Sequence, residues 1–321
     1  MKRLASAAIL AFLLAVLPLN ARAAELLIPV GRIVGLQMKT GTVTVAAFDD
    51  ALGKNAKSAG LRIGDEILKI EDRTVTCPED VHKALSQCED YVTLTIRRSG
   101  RQSRITVAPQ PRGDEKKLGV YLRQGVSGIG TVTWYDPSTG SFAALGHGVS
   151  GSRGMPVQMT GGCIYPAEIL SVKMGKSGEP GQLKGSASPE TPCGILRRNT
   201  PQGVFGTAQQ PWPGEPLPAA EWGQLSTGPA TILSTISGTT PREYSVEIVK
   251  VYTNDRPDGR NMLLKITDPE LLQTTGGIVQ GMSGSPIIQD GKLIGAVTHV
   301  LVNDPTMGYG IFIQNMLDAA G

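Results

Sequence analysis

Histidine is scarce in this chain. There are three in 321 residues, so proton-transfer chemistry through an imidazole is limited to His82, His147 and His299. Cysteine is sparse as well. Cys77, Cys88, Cys163 and Cys193 suit an oxidising compartment on their number alone, but geometry restricts their pairing. "CPEDVHKALSQC" reads as a helix with Pro78 in its first turn, which sets Cys77 and Cys88 about 16 Å apart. A disulfide needs Cα atoms within about 7 Å. An intact helix therefore excludes that bridge, and both a Cys163–Cys193 bridge and free thiols stay open. Surplus charge is missing too: without Lys2, Arg3 and Arg22 of the N-terminal segment, the 31 bases fall to the number of the 28 acids. No basic patch argues for nucleic acid. Long helical periods and internal repeats are also absent, which leaves short strands and turns among 40 glycines and 22 prolines.

What is present begins with export. "MKRLASAAILAFLLAVLPLNARAAE" has a basic start, an apolar run and the small-residue site Ala21-Arg22-Ala23, which predicts a signal segment over 1–23. The apolar run from Leu4 to Leu19 is just short of the ~17–25 residues that span a bilayer, so cleavage and retention as an anchor both remain open. The remaining length, about 298 residues, suggests two domains.

The first predicted unit covers 26–108. "SAGLRIGDEILKIEDRTV" supplies turns at Ser58-Ala59-Gly60 and Gly64-Asp65 and then an alternating strand. "YVTLTIRRSGRQSRITV" is a hairpin turning at Ser99-Gly100. The spacing Ala59-Gly60-Leu61, Gly64-Asp65, Ile67 and Ile70 resembles the signature of bacterial PDZ domains. That resemblance implies a peptide-binding groove between a strand at Ile33, Val34, Gly35 and Leu36 and the helix face carrying Val81 and Leu85. His82, on the same helix, is left outside the groove. Polar residues 109–118 read as a flexible linker. From 119 to 321, regular short apolar runs separated by turns predict a β-barrel or sandwich domain.

The chemistry is expected in "GIVQGMSGSPIIQDGKLIGAVTH". Glycines around Ser283 permit a tight turn that exposes Oγ and aims successive N–H groups into one pocket. Strand, turn and strand follow Ser283, where an α/β-hydrolase would have a helix, so the context favours a β-barrel protease. His147, flanked by glycines in "AALGHGVSG", is the expected base. His299, at the end of an apolar strand, reads as either a second candidate or a core histidine. Five aspartates compete as the acid: Asp136, Asp255, Asp258, Asp268 and Asp304.

These stretches resemble the stage IV sporulation protein B (SpoIVB) family of PDZ-linked serine peptidases. The resemblance implies a mainly β chain, a small α+β PDZ domain followed by a chymotrypsin-like barrel domain. It also implies the triad Ser283, His147 and Asp268, with an oxyanion hole at the N–H groups of Gly281 and Ser283, and neither cofactor nor metal. Met282 stands where common secreted proteases have an aspartate that pairs with a freed N-terminus, so activation of that kind is not expected. The biology implied is export across the inner forespore membrane and cleavage of a membrane-bound regulator of an intramembrane metalloprotease, which activates a late mother-cell sigma factor. Self-cleavage and self-association through the PDZ unit are implied with it. The competing readings are an HtrA-like envelope protease, which places its PDZ after the protease, and a PDZ scaffold without catalysis.

Overall fold

The computed structural model describes residues 25–151, 156–252 and 259–321. The expected signal segment 1–23 lies outside them.

Short, alternating apolar strands cannot bury one face alone, and here they close on themselves twice. The first ring comprises β1 (Ile33–Phe48), β2 (Val120–Tyr135), β3 (Ser141–Ala144), β4 (Met159–Lys173), β5 (Gly194–Thr200) and β6 (Gly203–Ala208). They pair antiparallel in the order β2-β3-β6-β5-β4-β1, and β1 returns to β2. The second ring is β7 (Gly228–Ser234), β8 (Arg242–Val251), β9 (Met262–Ile266), β10 (Pro286–Gln289), β11 (Lys292–Leu301) and β12 (Asp304–Phe312), closed in the order β7-β8-β9-β12-β11-β10. This is the double barrel of a chymotrypsin-like protease. Val34, Leu36, Val132, Phe142 and Ile164 fill the first barrel. A larger apolar cluster fills the second and reaches Ile33, Trp134 and Ala143 of the first, so the barrels share a dry interface.

The small α+β unit does not precede the barrels; it is inserted into the first. Strand β1 has 16 residues. Its first half pairs with β2 on one side and β4 on the other, whereas Val43–Phe48 pair with Val120–Gln124 and belong to the small unit. The register shifts between Met38 and Val43. Gly125 sits at that shift with φ +85°, and a Cβ there would lie 1.8 Å from the Met38 carbonyl oxygen. Only glycine fits where one sheet bends into the other.

Three expectations are corrected by this arrangement. Ile33, Val34, Gly35 and Leu36 do not form a groove strand, because both their edges are occupied inside the first barrel. The segment 109–118 is not a flexible linker: Gln110–Arg112 pairs with Glu115–Lys117, and Lys116 Nζ donates to the Cys88 and Glu89 carbonyls. A PDZ-first order likewise gives way to insertion. The strand that faces the helix is Val120–Leu122. With Pro78, Val81, His82 and Leu85 of α2 (Pro78–Leu85), it lines a cavity of about 320 Å³. Val81 and Leu85 therefore lie where a groove wall was expected, while also packing into the unit's core. All four cysteines are free thiols, and Cys77 caps α2.

The Gly64-Asp65 step has a physical cause. Asp65 is 1% exposed and accepts from the Arg62 amide and from Arg98 Nε and Nη2 at 2.6–2.8 Å. It ties the turn to the hairpin strand Val92–Arg98. Removing one partner strands a buried carboxylate, at ~3–5 kcal/mol for a fully buried pair. Because Arg98 is a third exposed, Arg98→Ala should destabilise the small unit by about 2–3 kcal/mol. Hydrogen exchange should show faster opening at residues 43–122 than in the second barrel. Uniform loosening of both would mean the units unfold together.

Candidate active site

Two loops from different barrels meet at one cavity. From the second barrel comes the turn Gln280–Ser285, ahead of β10. From the first comes Leu145–Ser150, after β3. The cavity holds about 470 Å³ and is lined by Gly281, Ser283, His147 and His299, with Leu36, Met38, Val126, Ile129 and Leu145 as its apolar side.

The turn is built on glycines that approach backbone. Gly284 has φ +97°, and a Cβ there would stand 2.1 Å from the Thr131 carbonyl and 2.5 Å from the Leu145 amide nitrogen. Thr131, fully buried in β2, binds both loops. Its N–H donates to the Ser283 carbonyl at 3.2 Å, its Oγ1 donates to the Gly281 carbonyl at 2.8 Å, and its own carbonyl accepts from Leu145 N–H at 3.1 Å. The histidine loop then turns through Leu145 and Gly146, both at positive φ (+72° and +66°). Leu145 pays for that conformation with strain that its burial and this hydrogen bond hold in place.

The amides of the turn divide into two sets. Gln280, Met282, Gly284 and Ser285 donate inward, to Gly181, Val279, Val297 and Met282 carbonyls. The Gln280 carbonyl accepts from Leu183 N–H and the Met282 carbonyl from Ser285 N–H. In a trans peptide the C=O and the following N–H point oppositely. The N–H groups of Gly281 and Ser283 are thereby turned away from those partners, and no described residue accepts from them. Two such donors beside a serine are the components of an oxyanion hole.

Ser283 Oγ donates to the Thr298 carbonyl at 2.7 Å. Ser285 Oγ is fully buried and bonds Ser234 Oγ at 2.9 Å, a packing role. His147 Nδ1 lies 3.0 Å from the Gly148 carbonyl oxygen. Because that oxygen only accepts, Nδ1 carries the proton and Nε2 is the basic nitrogen. Burial pushes the His147 pKa below its ordinary 6.5, against a smaller opposing effect of the Gly148 bond. The imidazole is therefore neutral at pH 7.

Asp268 is not brought to this cavity. Its Oδ1 accepts from Leu271 N–H and its Oδ2 from Ser245 N–H, capping helix α3 (Pro269–Thr275). Asp268-Pro269-Glu270 is a helix start, with proline at the first position and an acid in the first turn. In this structure the residue that the resemblance implies as the acid of a triad serves as that cap, and it is not among the residues lining the cavity. Asp136 accepts from Ser138 and Thr139 within a turn, and Asp304 from Thr306. Asp255 and Asp258 lie outside the described residues. The second imidazole lining the cavity is His299, whose ring centre is 5.1 Å from that of His147. It was visible in the sequence as a titratable residue ending an apolar strand. Thr131 was not, because a threonine in "GTVTW" looks like any other strand residue.

The profile of the family described as SpoIVB peptidase S55 matches residues 114–317. The chain belongs to that family. As a SpoIVB-type peptidase it is a serine protease, and its substrate is protein. No curated protein matches it. Among solved structures, the active form of the Rv3671c protease from M. tuberculosis is 14% identical, with a TM-score of 0.38, covering 60% of this chain and 72% of that one. An inactive form of Rv3671c is 13% identical, with a TM-score of 0.35, covering 60% of this chain and 84% of that one.

Thr131→Val keeps the shape but removes the donor to the Gly281 carbonyl, so it should cost ~1–3 kcal/mol, while Thr131→Ser should cost less. Thermal melting of the two variants checks this. Equal losses would put the effect in packing and not in the hydrogen bond.

Proposed function

We propose that this SpoIVB-type peptidase is a secreted signalling endopeptidase in which Ser283 is the nucleophile and His147 the general base. The observation that carries the reading is the meeting of Ser283 and His147, from separate barrels, beside two amides that no described residue accepts from. Rotation of Ser283 about Cα–Cβ redirects its O–H from the Thr298 carbonyl to His147 Nε2, which takes the proton as Oγ attacks the scissile carbonyl. The Gly281 and Ser283 N–H groups take the oxyanion, and His147 returns the proton to the leaving amine. The Gly148 carbonyl fixes the tautomer, a task given to a carboxylate in many serine proteases.

The wider role we propose is export across the inner forespore membrane into the intermembrane space, self-cleavage, and cleavage of a membrane-bound regulator of an intramembrane metalloprotease so that a late mother-cell sigma factor is activated; family membership supports the peptidase part of it. The inserted α+β unit, read as a PDZ domain, supplies substrate docking and self-association through the cavity between α2 and Val120–Leu122. Its insertion within the first barrel supports a dedicated peptidase over an HtrA-like quality-control protease, whose docking domain follows the protease.

Ser283→Ala should abolish cleavage of the protein and of peptide substrates, whereas Ser285→Ala should keep a substantial part of it. Equal loss in two well-folded variants would remove the assignment. A second expectation concerns pH. Only neutral His147 accepts a proton, and its pKa is lowered, so the acid limb of kcat/KM should have its midpoint below 6.5 with the rate flat through pH 7. An acid limb above 6.5 would point to a different base.

A further inference from the structure

His147 and His299 come from different barrels and line one cavity. His147 lies on the loop after β3, and His299 lies near the end of β11, where it pairs with Tyr309 of β12. Gly146 lets the two approach, because it turns at φ +66° and a Cβ there would stand 3.0 Å from Thr298 Cγ2 and 3.1 Å from Ile311 Cγ2. The ring centres are 5.1 Å apart and the planes are inclined at 39°. The rings are too inclined to stack in parallel. His147 Nδ1 donates to the Gly148 carbonyl at 3.0 Å, which puts the lone pair on Nε2. An imidazole that ligates a metal is held in this way, with its other N–H on a carbonyl or carboxylate. Because His299 Nδ1 is buried, a ligand in the cavity reaches that ring from its Nε2 side.

Taking Ser283 as the nucleophile and His147 as the base, we infer that His147 and His299 form a reversible inhibitory site for Zn²⁺. A tetrahedral zinc ion with imidazole nitrogens at about 2.0–2.1 Å holds two ring centres about 5 Å apart. The pair has that separation. No lysine or arginine lines the cavity, so no fixed positive charge repels a cation, and its volume of about 470 Å³ leaves room for bound water. Among the described residues no third histidine, cysteine or carboxylate joins the two. The other positions on the ion therefore fall to water, which makes the site open and exchangeable where a structural zinc site is closed. Mg²⁺ and Ca²⁺ prefer oxygen ligands and do not suit a pair of nitrogens. Bound zinc occupies the lone pair of His147 Nε2, and that nitrogen then cannot accept the Ser283 proton. Since its two ligands belong to separate barrels, the ion also cross-links them and stabilises the fold.

The binding test uses Ser283→Ala, which keeps both imidazoles and removes the nucleophile. Equilibrium dialysis should find Zn²⁺ held in the micromolar range, and the melting temperature should rise with zinc. Adding His147→Gln or His299→Gln to this chain should weaken binding about tenfold or more. The activity test uses the wild type and a peptide that it cleaves. Zn²⁺ should lower kcat/KM about tenfold or more, a chelator should restore it, and Mg²⁺ at equal concentration should leave it unchanged. In His299→Gln, measured against its own zinc-free rate, half-inhibition should need about tenfold more Zn²⁺. Unchanged zinc binding in either glutamine variant, or unchanged zinc sensitivity in His299→Gln, overturns the site. If His299→Gln does not fold, dialysis with His147→Gln, a loop substitution, decides alone. Failure of zinc to bind or inhibit, with Ser283→Ala inactive, sinks the zinc site and spares the catalytic reading. Zinc held by both imidazoles while cleavage continues sinks His147 as the base and the inhibition with it.

Discussion

The buried peptide of Thr131 is the constraint on which the site depends. A nucleophile on one barrel and a base on the other can react only if the barrels hold a fixed distance. Here that distance is set by one residue hydrogen-bonded to both loops and by Gly284 lying against it where no Cβ fits. The two barrels contribute apolar area that holds them together without direction. Thr131 supplies the direction. Two of its three bonds fix the Gly281 and Ser283 carbonyls and the third holds the histidine loop at Leu145, while the Leu183 and Ser285 bonds to the Gln280 and Met282 carbonyls turn the Gly281 and Ser283 N–H groups away from the turn's interior. Pre-oriented donors of this kind need no reorganisation during the reaction.

The same strand links the two cavities. Residues 120–122 of β2 border the cavity under α2, residues 126–129 border the Ser283 cavity, and Thr131 anchors the turn that carries Ser283. Six residues separate Leu122 from Gly128, about 20 Å of extended strand. A unit tied to the barrel by a short linker would move freely relative to Ser283, whereas a unit built on the barrel's own β1–β2 pair is held by that pair's hydrogen bonds. The bend at Gly125 sets the angle between them.

The serine and histidine that line the shared cavity were legible because each sits in a local turn whose glycines announce it: Gly281-Met282-Ser283-Gly284 and Gly146-His147-Gly148. Asp268 carries a second reading in the sequence, because an aspartate before a proline and a glutamate is also a helix cap, and here it forms one. The helix was read from Pro78 in its first turn, and its Val81 and Leu85 face was named from the PDZ resemblance. The strand opposite it was misplaced at Ile33–Leu36, because an apolar strand carries no mark of which neighbours flank it.

The sequence by itself determined the β class, the turn at Ser283, the flanking glycines of His147, and the small unit's turn at Gly64-Asp65, since each follows from φ/ψ preferences and patterning over a few residues. Only the tertiary structure decided that the small unit is inserted in the first barrel, that residues 109–118 are an ordered hairpin, that Thr131 is the joint between the barrels, and that His299 stands beside His147. Those facts depend on which strands pair. Pairing is settled by the burial of whole faces across residues as distant as Thr131 and Gly281, and no local run of residues encodes it.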